Sequence, residues 1–141
     1  MSQVDYYGTK RVKAQPQSKV LDEEGKAVTR EGYEVEYDDG YLSWSPKAVF
    51  EAAYQPTTAM SFGHAIAAMK TGLRVGRAGW NGKGMWIYLA RKPHVTFEEY
   101  EWLRPSFYSL SFLVMKTAGG ECVPWLASQT DVLADDRAIV P

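Results

Sequence analysis

Between Met60 and Ala90 the chain reads MSFGHAIAAMKTGLRVGRAGWNGKGMWIYLA, and these 31 residues leave few architectures open. Ser61 stands where an N-cap belongs. Phe62, Ala65, Ile66 and Met69 recur at helical spacing, and Gly72 is placed to end the helix after Thr71. Leu73 to Trp80 reads as extended, with Leu73, Val75 and Arg77 on one side and Arg74 and Gly76 on the other. Asn81-Gly82 is a hairpin signal, because both residues tolerate positive φ. Met85 to Ala90 returns as a second strand. A short helix followed by two strands on a tight turn implies a small antiparallel unit.

The remaining segments follow the same grammar. Thr96-Phe97-Glu98-Glu99 is a capping box that predicts a short helix through Leu103. Phe112 to Lys116 and Glu121 to Leu126 read as strands joined at Ala118-Gly119-Gly120, Ser128 to Asp136 as a short helix or turn, and Ala138 to Val140 as a last strand. Residues 1–56 read as a separate small unit. Its pieces are extended runs at Tyr7–Ala14 and Ser18–Leu21, a turn at Asp22-Glu23-Glu24-Gly25, and a hairpin of Tyr33–Tyr37 and Tyr41–Trp44 about Asp38-Asp39-Gly40. A helix from Lys47 to Tyr54 follows, with Ser45 as N-cap and Pro46 at its first position. The expected class is α+β, with small antiparallel sheets and short helices. The expected division is an N-terminal unit at 1–56 and a second domain at 59–141.

Composition narrows the setting. No apolar run approaches the roughly 20 residues of a membrane span, no signal peptide is visible, and the single Cys122 excludes an internal disulfide and a cysteine-built metal site. A cytosolic protein is expected. The net charge of −1 conceals a division. Residues 52–97 carry six cations and no Asp or Glu, which leaves ten cations against seventeen anions elsewhere. That pattern fits a local positive pocket better than the uniformly basic surface of a nucleic-acid binder. A solvated face without acids is the plainer alternative.

Several residues suit a flat, anionic ligand. Trp80 offers a stacking face, and Gly82 and Gly84 bare the backbone amides that can cradle a phosphate. The turn at Asn81-Gly82 is also explained as a hairpin with no ligand. Arg77, nearer that turn than Arg74, is the better phosphate candidate. The tract from Val123 to Asp131 ends a strand and starts a helix through the cap pattern Ser128-x-x-Asp131. There Trp125 offers a second ring, and Asp131 could accept from a ribose hydroxyl or merely cap. Catalysis finds little footing: His64 lies on a helix with no partner at metal spacing, His94 falls in a loop before the capping box, and no nucleophile, P-loop or dinucleotide motif is present. No cofactor and no metal are expected.

Two blocks carry a resemblance. Met60-Ser61-Phe62-Gly63-His64-Ala65 with Arg77-Ala78-Gly79-Trp80-Asn81-Gly82-Lys83-Gly84-Met85 is the first. Met115-Lys116-Thr117-Ala118 with Val123 through Asp131 and Leu133-Ala134-Asp135-Asp136 is the second. Together they resemble the Thoeris anti-defence family of phage and prophage proteins, second type, over roughly residues 59–140. The resemblance implies a non-enzymatic sponge in the bacterial host cytoplasm. Such a sponge binds cyclic ADP-ribose-type immune signals such as glycocyclic ADP-ribose, and in some members cyclic dinucleotides or trinucleotides. It also implies a homotetramer with pockets between subunits, and no membrane or nucleic-acid polymer as partner. Trp80, Asn81 and Gly82 of the first block and Trp125, Ser128, Thr130 and Asp131 of the second are the ligand residues it implies, with Arg77 beside them. Arg137 departs from the family, which commonly has a tryptophan there. Such a change would alter either the last strand or the pocket. The alternative function is a phage protein-interaction module, with residues 1–56 as adaptor.

Overall fold

The computed structural model describes residues 2–80, 83–91 and 110–141. The Asn81-Gly82 turn, His94 and the capping-box helix at Thr96–Leu103 lie outside the described residues. The architecture is α+β: small antiparallel sheets and a few short helices. The chain divides into two compact units, Met1–Gln55 and Pro56–Pro141.

In the first unit, β1 (Lys13–Pro16), β4 (Gly32–Glu36) and β5 (Leu42–Pro46) form a sheet in the order β1-β4-β5. The β4–β5 turn forms because Gly40 accepts a φ of 84° and Asp39 Oδ1 takes the Tyr41 N–H at 3.0 Å. A second hairpin joins β2 (Lys19–Glu23) to β3 (Lys26–Arg30) through Glu24 and Gly25, both at positive φ. The strand β3 was not foreseen. Its burial pattern is nearly all exposed, so it has no apolar alternation to betray it. Helix α1 (Lys47–Ala53) lays Phe50 on the Tyr33 ring at 4.3 Å, and Tyr54 continues the stack. Ser45 does not cap it. Ser45 and Pro46 stay in β5, paired with Tyr33 and Gly32, and Pro46 occupies the cap position with no side-chain bond. The Lys47 N–H is satisfied instead by the Glu31 carbonyl at 3.1 Å.

The second unit begins with α2 (Phe62–Lys70), capped by Ser61 Oγ, which accepts from the His64 N–H. Its sheet has the order β10-β6-β7-β8-β9, from β6 (Arg74–Arg77), β7 (Trp86–Ala90), β8 (Phe112–Lys116), β9 (Cys122–Pro124) and β10 (Arg137–Val140). The register places Ile139, Val75, Ile87, Met115 and Val123 in one row across all five strands. Ala65 and Met69 of α2 close over that row, and Met60, Ala65, Met69, Val75 and Ile87 form the buried core. Strand β6 stops at Arg77, three residues before the expected end. Ala78-Gly79 turns, and the Trp80 N–H returns to the Arg77 carbonyl at 3.2 Å. Helix α3 (Gln129–Leu133) is likewise shorter than the Ser128–Asp136 span expected. No helix among the described residues is long and apolar enough to cross a membrane.

Candidate functional site

Strand pairing decides which polar side chains meet. Arg137 of β10 lies directly opposite Arg77 of β6, two positions along from the Ile139–Val75 pair. Both arginines therefore point to the same face as that apolar row, the face covered by α2. Two cations on one face of a sheet need anions, and the segment after β9 supplies them. The Arg77 Nε donates to Asp136 Oδ1 at 2.9 Å, and Nη1 donates to Asp131 Oδ1 at 3.0 Å. Asp136 Oδ2 also accepts the Gly79 N–H at 2.8 Å, which fixes the turn that presents Trp80.

Asp131 is the hub. Its Oδ1 accepts from Arg77 and, at 3.3 Å, from Trp80 Nε1. Its Oδ2 accepts from the Ser128 hydroxyl at 2.8 Å and the Ser128 N–H at 3.3 Å. The Ser128 hydroxyl in turn accepts the Asp131 N–H at 3.1 Å, so Ser128 and Asp131 form a complete capping box on α3. A carboxylate has about four acceptor positions, and all four are taken by protein donors. Burial alone would raise the Asp131 pKa, but the bonds from Ser128, Trp80 and Arg77 outweigh it and hold the group below the ordinary value. For Asp136 burial is likewise outweighed, here by Arg77 and the Gly79 N–H.

A pH dependence follows from these depressed values. Both carboxylates bind protons more weakly in the folded chain, so their stabilisation is full above about pH 4, the usual range of free carboxylates. It is lost as pH falls through the depressed values. Asp136→Asn is expected to make stability less sensitive to acid over that window. Denaturant midpoints taken from pH 5 down to pH 2 would run parallel in the two proteins if Asp136 contributed nothing.

The aromatic wall stands beside this cluster. Trp80 and Trp125 meet edge to face, with centroids 6.2 Å apart and planes at 72°. Phe62, the first residue of α2, is tilted against Trp125 at 6.3 Å. The Trp125 N–H is anchored to the Leu113 carbonyl at 2.9 Å. Both indoles touch the core and remain partly exposed. Arg137 fills the space between the rings, with its guanidinium carbon 5.1 Å from the Phe62 centroid and 5.5 Å from each of Trp80 and Trp125. It is fully buried, and its Nη2 donates to the Asp131 carbonyl at 2.8 Å. Burial pushes its pKa down, with Asp131 opposing that shift. In β10 Arg137 pairs in register with Arg77, and its side chain lies among the rings.

The structure therefore brings Arg77, Trp80, Trp125, Ser128 and Asp131 together. Thr130 sits exposed on α3, and Asn81 and Gly82 lie outside the described residues. Arg77 and Asp131, expected to face a phosphate and a ribose, are each engaged by protein partners. The acid-free character of residues 52–97 does not survive folding around Arg77, because Asp131 and Asp136 reach it from elsewhere in the chain. Sequence reasoning missed Phe62 and Asp136. The signal for Asp136 was its place immediately before a strand residue that faces Arg77, which is legible only once the β10–β6 pairing is known.

Comparison with known proteins matches this half of the chain. The profile of the Thoeris anti-defense 2-like domain matches residues 60–140. The protein Thoeris anti-defense 2 of Bacillus phage SP01 is 42% identical over 89 residues, covering 59% of this chain and 97% of the phage protein. The profile begins at Met60 and ends at Val140, so it takes in every residue of the cluster and leaves the Met1–Gln55 unit outside. The chain belongs to the Thoeris anti-defense 2-like family.

Proposed function

We propose that the protein sequesters a cyclic ADP-ribose-type immune signal, with glycocyclic ADP-ribose as the reference ligand, and blocks bacterial anti-phage defence without cleaving the signal. The observation that carries this reading is the meeting of Trp80 and Trp125, one from each family block, around a hydrogen-bonded charge cluster. Indole faces suit an adenine, and the polar groups beside them suit the phosphates and riboses that the same ligand carries. Asn81, Gly82 and Thr130 are kept as ligand-binding residues in this proposal. A second copy completes the pocket in a homotetramer, as the family resemblance implies.

Holding rather than transforming is supported by the state of the carboxylates. A general acid or base needs a pKa near the working pH and a free position toward substrate. Asp131 and Asp136 are displaced downward, away from neutrality, and are committed to protein donors. A sponge needs no turnover. It lowers the free signal when its sites outnumber the signal and its Kd lies below the effector's threshold.

The test is capture followed by release. Protein incubated with glycocyclic ADP-ribose, washed and then heated, is expected to return the ligand intact at about one molecule per site. Recovery of a linear or hydrolysed product would make it an enzyme, and no retained ligand would end the proposal. Cyclic dinucleotides and trinucleotides in the same assay define the ligand class.

A further inference from the structure

Among the described residues Arg137 is the one charged side chain that is buried, at 0% exposure. It is also incompletely satisfied. Its Nη2 has the Asp131 carbonyl, but Nε and Nη1 are buried and find no acceptor among the described residues. The three rings around it offset part of the desolvation through cation–π attraction. Rings do not replace acceptors for two N–H groups. The nearest carboxylate does not supply them either. Its closest oxygen to Nη2 is 3.9 Å away, and its four acceptor positions are filled by Arg77, Trp80 and Ser128. Leaving buried charged donors unpaired is costly. An acceptor arriving from outside the chain recovers that cost.

The chemistry of the surroundings states what such an acceptor must be. It must carry anionic oxygens for a guanidinium and tolerate, or exploit, flat aromatic walls. A phosphate ester of a nucleoside has both parts. We propose that Arg137 is the anion seat of the site, taking phosphate oxygens of a nucleotide on Nε and Nη1 while the ring system stacks on an indole. The proposal rests on the reading that this site holds a nucleotide signal, and adds to it the residue that grips the phosphate. A neutral nucleoside gains nothing from Arg137.

The experiment uses the full chain and three probes: adenosine, ADP-ribose and inorganic pyrophosphate, each by calorimetric titration. Arg137→Met keeps a long apolar side chain that suits an aromatic surround. It is expected to melt at the wild-type temperature or above, because an incompletely paired buried charge has been replaced by apolar atoms. It is also expected to lose about 10- to 100-fold in affinity for ADP-ribose and pyrophosphate, the range for charge-assisted hydrogen bonds, with adenosine unchanged. A folded Arg137→Met that binds both anions as wild type does overturns the proposal. So does a wild-type protein that binds neither anion. Should the methionine variant not fold, Arg137→Lys retains the cation and lacks Nε. The same loss is expected, and undiminished affinity again overturns the seat. The two readings fail separately. Pyrophosphate binding that depends on Arg137, in a protein that captures no glycocyclic ADP-ribose, removes the sponge and leaves the seat. Capture of the signal that is equal in wild type and Arg137→Met removes the seat and leaves the sponge.

Discussion

Alanine at Asp131 is expected to cost the second unit about 2–4 kcal/mol, the combined range for a lost helix cap and lost charge-assisted hydrogen bonds at a partly exposed carboxylate. The substitution strips Arg77 of one of its two anions and Trp80 of its hydrogen bond, and it dismantles the cap of α3. It also leaves Arg77 and Arg137 facing each other across the β6–β10 pair with only Asp136 in attendance. Asp131 is only 15% exposed at its side chain, so water does little to soften the loss. Chemical denaturation followed by near-ultraviolet circular dichroism measures it. A loss below about 1 kcal/mol would reduce the hub to an ordinary surface pair. The double variant Asp131→Ala with Arg137→Met is expected to recover part of the stability, because the orphaned cation is gone. Strict additivity of the two changes would show that the residues do not act as one cluster.

Trp80→Ala is expected to weaken signal capture by about 10- to 100-fold, from the worth of one base–indole stack. The ring also contributes to packing, touching the core and Trp125. A fall in stability accompanies the fall in binding, and the two must be read separately. Trp80→Phe separates them, since it keeps an aromatic face and removes the Nε1 donor to Asp131. It is expected to retain most of the capture with a smaller loss of stability. Calorimetric titration with glycocyclic ADP-ribose on variants shown to be folded is the measurement. Undiminished affinity in folded Trp80→Ala would take the ring out of the site.

The local elements were legible because their signals are local. Ser61 caps α2 through its own hydroxyl, Gly72 takes a φ of 92° after it, and Gly40 and Gly120 turn their hairpins at positive φ. Those residue types announce backbone conformations that other residues resist. What failed did so for equally physical reasons. The sequence Ser45-Pro46 carries a helix-start signal, but strand pairing with Tyr33 and Gly32 claims both residues first. The exposed strand β3 buries too little to show a period.

The site was half legible. Trp80, Trp125 and the Ser128-x-x-Asp131 cap stand out as residue types, yet their neighbours are chosen by the register of strands far apart in the chain. Nothing near Arg77 in sequence says that Asp136 will hold it, or that Arg137 will lie opposite. The unequal distribution of charge was no guide to the neighbours of Arg77 for the same reason. A segment without acids attracts acids from elsewhere when the fold closes.

The contacts that define the cluster span 51, 54 and 59 residues of chain, for Trp80–Asp131, Arg77–Asp131 and Arg77–Asp136. Contacts of that range are the slowest a small domain makes, because the closing of long loops precedes any reward. The cluster is therefore a late product of folding, and a chain that has formed only α2 and the β6–β7 hairpin holds none of it. On the proposed function, a nucleotide that occupies the finished cluster would draw the population of chains toward the folded state and so protect the chain from unfolding.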